Sequence, residues 1–134
     1  MRVMIDTNVF ISAAVFSSSH MLQLIDEISE NHTIVLSTYI VDELKRVTRE
    51  KFPDRVDTVE RFLHELPFEL AYTPEKIDTS KYPEIRDIKD LPVLVSALKE
   101  DVDVLLSGDI DFSPLDMERP EILTPRAFIE LYGK

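Results

Sequence analysis

Two carboxylates stand two residues apart at Asp109 and Asp111, just past the apolar run Val104-Leu105-Leu106 and the pair Ser107-Gly108. So spaced, they repel each other unless a cation offsets their charge, although Ser-Gly-Asp-Ile-Asp also reads as an ordinary glycine turn. A third acid, Asp6, directly follows the apolar stretch that closes at Ile5, and Asp6-Thr7-Asn8 reads equally well as a turn and helix cap. Asp90 precedes the apolar segment feeding Val104 and reads most simply as an N-cap. Glu43 lies on a charged segment where most glutamates are merely solvated. Taken singly, each acid has a bland explanation. Asp6, Asp109 and Asp111 share a position just past apolar runs, which makes them the acids to watch.

The elements that must position these acids alternate in type. Arg2 to Ile5 is a short strand, and Asn8 to Phe16 is too long and apolar for a second one, so it reads as a buried helix. Ser19 caps a helix whose apolar residues Met21, Leu24, Ile25 and Ile28 share one face. Thr33 to Leu36 is β-branched and strand-like. Ser37 or Thr38 starts a helix with Ile40, Leu44 and Val47 inward, which leaves Glu43 at the boundary of the buried stripe. Pro53 opens a further helix with Val56, Val59, Leu63 and Leu66 inside. Phe68, Leu70 and Tyr72 alternate as in a half-buried strand, and Thr73 to Lys89, with Pro74 and Pro83, reads as a surface connection holding one turn of helix. Asp90 caps a helix that is apolar nearly all round, Val104 to Leu106 is a buried strand, and Glu121 to Leu123 is the last strand. Thr124-Pro125 starts a helix that stops at Gly133.

Strands alternating with helices imply α/β architecture, a largely parallel sheet covered on both faces. Ligands bind such sheets beyond the carboxyl ends of the strands, where Asp6, Asp109 and Asp111 fall. Length and composition agree with a single domain over residues 1–134: 44% of residues are hydrophobic, enough for a core, and no repeat or linker interrupts the chain. The lack of cysteine excludes disulfides, thiolate zinc sites and thiol nucleophiles. No apolar run approaches the ~20 residues of a membrane span, so a soluble, cytoplasmic protein is expected.

The ordered set Ile5-Asp6-Thr7-Asn8-Val9, Ser37 through Asp42-Glu43-Leu44, Asp87-Ile88-Lys89-Asp90, Leu106-Ser107-Gly108-Asp109-Ile110-Asp111-Phe112 and Ile122-Leu123-Thr124-Pro125 to Phe128 resembles the PIN domains, in particular small prokaryotic PIN proteins that include VapC-like toxins. The resemblance runs nearly end to end. It implies a three-layer α/β/α sandwich with a central, mainly parallel sheet of four to five strands. It implies a Mg²⁺- or Mn²⁺-dependent ribonuclease site, with Asp6, Glu43, Asp90 and Asp109 as ligands of one or two ions, Asp111 as an additional catalytic acid, and Thr7, Asn8 and Ser107 as polar neighbours. A water deprotonated with help from Asp6 or Asp111 would attack phosphorus in line and leave a 5′-phosphate product. The implied partners are an RNA substrate, an antitoxin if the chain is the toxin of a pair, and a second copy in a homodimer.

Net charge complicates nucleic-acid binding, because 15 Lys and Arg face 26 Asp and Glu, leaving −11. The bases are unevenly spread. Five of them and only two acids lie between Lys45 and Arg55, a local charge of +3 against −14 elsewhere. Lys45, Arg46 and Arg49 are therefore the candidates for gripping a substrate backbone, with Arg86 and Lys89 on the other side; a solvated helix face accounts for the stretch equally well. Asp109-Ile110-Asp111-Phe112-Ser113 superficially resembles the Asp-x-Asp-x-Thr signature of haloacid dehalogenase-like phosphatases, but only 25 residues follow Asp109, too few for the rest of that fold. A receiver domain would need a late lysine that is not suitably placed here. The competing reading is a PIN fold kept as a catalytically weak RNA- or protein-binding module.

Overall fold

The computed structural model describes residues 1–82, 90–108 and 119–133. Five strands, β1 (Arg2–Ile5), β2 (Thr33–Ser37), β3 (Glu69–Ala71), β4 (Val104–Leu106) and β5 (Glu121–Leu123), form one sheet in the order β3-β2-β1-β4-β5. Every pairing is parallel, with Val3 opposite both Ile34 and Val104 and Leu106 opposite Leu123. The architecture is the expected α/β one, with helices α1 (Thr7–Phe10), α2 (Ser19–Asn31), α3 (Thr38–Lys51), α4 (Val56–Glu65), α5 (Leu91–Lys99) and α6 (Pro125–Tyr132). The inner strands are apolar without alternation because helices cover both faces of the sheet: Val3, Met4, Ile5, Ile34, Val35, Leu36, Val104, Leu105 and Leu106 are all buried. Helix α5 buries Leu91 and every residue from Val93 to Ala97, as its all-round apolar sequence requires.

Strand order reverses between β1 and β4. Residues leading from β1 build the sheet towards β3, while β4 and β5 extend it the other way, so the chain diverges at the carboxyl ends of β1 and β4 and opens a crevice there. Asp6 leaves β1 at that point and Ser107 leaves β4.

Local structure departs from the sequence pattern at four places. The first helix starts at Thr7 rather than Asn8, with Asp6 as its cap, and its second half, Ile11–Val15, is a wider π-helical turn. Ser18, not Ser19, caps α2: its hydroxyl accepts from the Met21 amide at 3.4 Å, one residue earlier because Ser17 takes a left-handed φ of 52°. Along β3 the inward residue is Ala71, whereas Leu70 and Tyr72 are exposed. Asp90 occupies the N-cap position of α5 with helical backbone angles and makes no side-chain capping bond, so capping does not account for its carboxylate. As expected, Ser37 caps α3 and Thr124 caps α6. A short 3₁₀ turn, Pro53–Arg55, opens α4, and Thr79–Lys81 is a helical turn in the described part of the surface connection. No single helix among the described residues is long and apolar enough to cross a membrane.

Candidate active site

Asp6 is 5% exposed, an unusual place for a carboxylate. One oxygen, Oδ1, accepts from the Thr7 amide at 2.8 Å, and the other, Oδ2, accepts from the Ser107 hydroxyl at 2.9 Å. The Asp6 amide donates to the Leu106 carbonyl at 2.9 Å, which extends the β1–β4 ladder to the crevice. A carboxylate at the switch point is thus fixed by donors from both diverging segments. Beside it Thr7 is buried, and its Oγ1 has no hydrogen-bond partner among the described residues. An unmatched buried hydroxyl costs ~1–3 kcal/mol, so this corner is polar beyond what packing needs. Asn8 is exposed, and its carbonyl accepts from Ser12.

Glu43 comes from the second turn of α3, and its side chain is 26% exposed. Tyr39, one turn earlier, donates its phenol to Glu43 Oε2 at 3.3 Å. Burial raises the Tyr39 pKa, and the Glu43 and Asp90 carboxylates raise it further, with Arg46 acting in the opposite direction. The phenol therefore lies within the field of both acids and stays a donor. Sequence reasoning missed Tyr39, although its spacing of four residues before Glu43 on a helix was the available signal.

The start of α3 is pinned to the chain beyond β3. The Thr73 amide donates to Thr38 Oγ1 at 3.0 Å, the Tyr39 amide donates to Thr73 Oγ1 at 3.3 Å, and that hydroxyl also pairs with Ser96 of α5 at 2.8 Å. These bonds tie the helix bearing Glu43 to the helix that begins after Asp90.

A groove of about 390 Å³ runs along α3, lined by Tyr39, Asp42, Glu43, Lys45, Arg46 and Arg49. Its acids lie towards the helix start and its bases towards the helix end. Arg46 is shared between Glu43 at 4.0 Å and Glu50 at 3.5 Å, while Lys45 and Arg49 are exposed and have no ion pair among the described residues.

Of the expected site residues, the structure fixes Asp6 and Ser107 in direct contact and sets Glu43 and Asp90 around Tyr39. Asp109 and Asp111 lie outside the described residues, as do Arg86 and Lys89. Among the described residues, no three acids or histidines come close enough to hold a metal ion. By donor chemistry the set still suits a hard cation: it consists of carboxylates and hydroxyls, with no thiolate. The unmatched Thr7 hydroxyl beside Asp6 is a further oxygen at the same corner.

A family model for the PIN domain matches residues 2–111. The chain belongs to the PIN-domain family. PIN domains are generally nucleases that use divalent metal ions. A solved structure with the same fold is VapBC2 from Rickettsia felis bound to a DNA fragment from their promoter; the matched chain has a TM-score of 0.71 and 17% identity, over 92% of this chain and 98% of that one. No sequence among curated proteins matches. The PIN assignment agrees with the all-parallel five-stranded sheet and with the position of Asp6 at its switch point.

Proposed function

We propose that this PIN domain is a Mg²⁺- or Mn²⁺-dependent endoribonuclease, acting as the toxin of a toxin–antitoxin pair. The observation that carries the reading is the buried Asp6 carboxylate, held by Ser107 and the Thr7 amide across the point where the sheet diverges. The likeness to a chain of VapBC2, a complex of toxin and antitoxin, motivates the antitoxin partner. A homodimer is part of the same proposal.

Asp6, Glu43, Asp90 and Asp109 would hold the ion, and when bound it supplies charge neutralisation at the phosphoryl group and a more acidic water. Asp6 is suited to a ligand's part because donors at both oxygens fix its orientation. Tyr39 holds Glu43 in one rotamer by the same logic. Asp111 is then assigned the proton of the attacking water. Lys45 and Arg49, exposed at the basic end of the groove, grip backbone phosphates, with Arg46 partly engaged by Glu43 and Glu50.

Unfolding with and without Mn²⁺ tests the metal part of this reading. A cation that binds only the folded state at a hundredfold excess over its Kd adds about 2.7 kcal/mol of stability. The gain should appear in the wild type and shrink sharply in Asp6→Asn, Asp90→Asn and Asp109→Asn. No gain in the wild type at millimolar metal would favour the catalytically weak binding module instead.

A further inference from the structure

Helix α5 is apolar on nearly every side, and of the residues it buries Ser96 alone is polar. At 1% exposure its hydroxyl is almost shut off from solvent, and it meets the Thr73 hydroxyl at 2.8 Å. A hydroxyl pair costs more to desolvate than an apolar pair of the same shape. Packing alone would be served by alanine and valine.

What the pair adds is direction. Thr73 follows β3 and stands between two helices: its Oγ1 accepts from the Tyr39 amide at 3.3 Å, and its own amide donates to Thr38 Oγ1 at 3.0 Å. The first-turn amides of a helix have no partner within it. Ser37 takes the Ile40 amide, and Thr73 takes the Tyr39 amide from outside the helix. Tyr39 in turn donates its phenol to Glu43 Oε2 at 3.3 Å. A continuous run of bonds therefore leads from Ser96, six residues beyond Asp90, through Thr73 and Tyr39 to Glu43. Apolar packing is non-directional and tolerates a slip along the helix axis, whereas a hydrogen bond does not. A slip of one residue is about 1.5 Å. Ligand distances at a metal hold to within about 0.2 Å.

We propose that Thr73 is a positioning residue, which fixes the register of α3 against α5 and thereby the spacing of Glu43 and Asp90. This rests on the reading that both carboxylates hold a divalent cation. Thr73 acts through these two acids and takes no part in the chemistry.

The test measures Mn²⁺ binding to the full chain by electron paramagnetic resonance, with wild type, Thr73→Val, Thr73→Ser and Ser96→Ala. Thermal unfolding in EDTA sets a temperature at which the variants are folded. Thr73→Val keeps the shape and removes the hydroxyl, and Ser96→Ala cuts the same tie at α5 while leaving the Tyr39 amide its acceptor. Both should weaken Mn²⁺ binding, Thr73→Val by about 10- to 100-fold, the range for losing a group that supports a metal ligand. Thr73→Ser keeps the hydroxyl and should bind close to wild type. Once Glu43→Gln has removed one of the two acids their spacing no longer matters, so adding Thr73→Val to it should weaken binding little further. Affinity unchanged in Thr73→Val and Ser96→Ala, whatever their loss of stability, would overturn the positioning role and leave the metal site standing. A full further loss in the Glu43→Gln background would overturn it too. Should Thr73→Val fail to fold, Ser96→Ala decides by the same criterion. Wild type that binds no Mn²⁺ would remove the metal reading and this inference with it.

Discussion

Replacing Ser107 by alanine removes one hydroxyl from a site that is 2% exposed and deprives the Asp6 carboxylate, itself 5% exposed, of a donor on Oδ2. Water cannot readily replace a donor at that depth, so the surviving acceptor bears a desolvation penalty as well as the lost bond. A hydrogen bond to a charged group contributes about 1.5–3 kcal/mol, which is the destabilisation expected at neutral pH. For a chain of 134 residues this lowers Tm by about 5–10 °C. Urea unfolding followed by far-UV circular dichroism would give the free energy directly. Ser107→Thr, which keeps the hydroxyl, should recover part of it. If metal binding depends on Asp6 being held in one orientation, Ser107→Ala should also weaken Mn²⁺ binding about 10- to 100-fold, the range typical for loss of a group supporting a metal ligand. A loss of under about 0.5 kcal/mol, the range of an ordinary surface change, would refute the claim that the Ser107–Asp6 bond organises the crevice.

Tyr39 should ionise later than a free phenol, because burial and the neighbouring Glu43 and Asp90 charges oppose the phenolate. With the folded pKa raised, its contribution to stability is complete below the unfolded value of about 10 and is lost as pH rises through the folded one. Tyr132, whose phenol donates to Glu121, should also ionise late, so in a spectrophotometric titration the late phase should lose one of its tyrosines in Tyr39→Phe and move down in part in Glu43→Gln; no shift in Glu43→Gln would break the proposed link between Tyr39 and Glu43. Neutralising both Lys45 and Arg49 should flatten the slope of log K against log salt for single-stranded RNA by about 1.4, at ~0.7 per phosphate contact, and an unchanged slope would make them merely solvated. Leu94, fully buried in α5, should cost about 2–5 kcal/mol as alanine; a much smaller loss in urea unfolding would mean that the core collapses around the gap.

How far the sequence revealed the fold depended on burial. β1, β2 and β4 are covered on both faces, so they appear as unbroken apolar runs ended by polar residues, and α5 announces itself through an apolar surface on all sides. β3 lies at the sheet edge, where alternation is a weak guide. Leu70 and Tyr72 look like the inner face by hydrophobicity, yet small Ala71 is the residue that fits against the interior. The serine run 17–19 offers three chemically equal caps, and only the backbone turn at Ser17 selects Ser18.

Asp6 was legible from the pattern of elements, which puts it directly after β1. Thr7 and Ser107 were named beside it through the family resemblance alone, and the tie through Thr73 was not foreseen. Ser107 meets Asp6 across 101 residues of sequence, and Thr73 joins Thr38, Tyr39 and Ser96 through contacts that no periodicity encodes. Asp90 does stand at the N-cap position of α5, as aspartate so often does, but with helical backbone angles and no capping bond from its side chain.

The measurement that tests the central claim most directly is cleavage of a labelled single-stranded RNA by purified protein with Mn²⁺, with EDTA, and with Asp6→Asn in place of wild type. The account predicts internal cleavage leaving 5′-phosphate ends, abolished by EDTA and reduced at least about 100-fold by a substitution that leaves the fold intact, a loss of ~2.7 kcal/mol in transition-state stabilisation. Cleavage that persists undiminished in Asp6→Asn or in EDTA would contradict it.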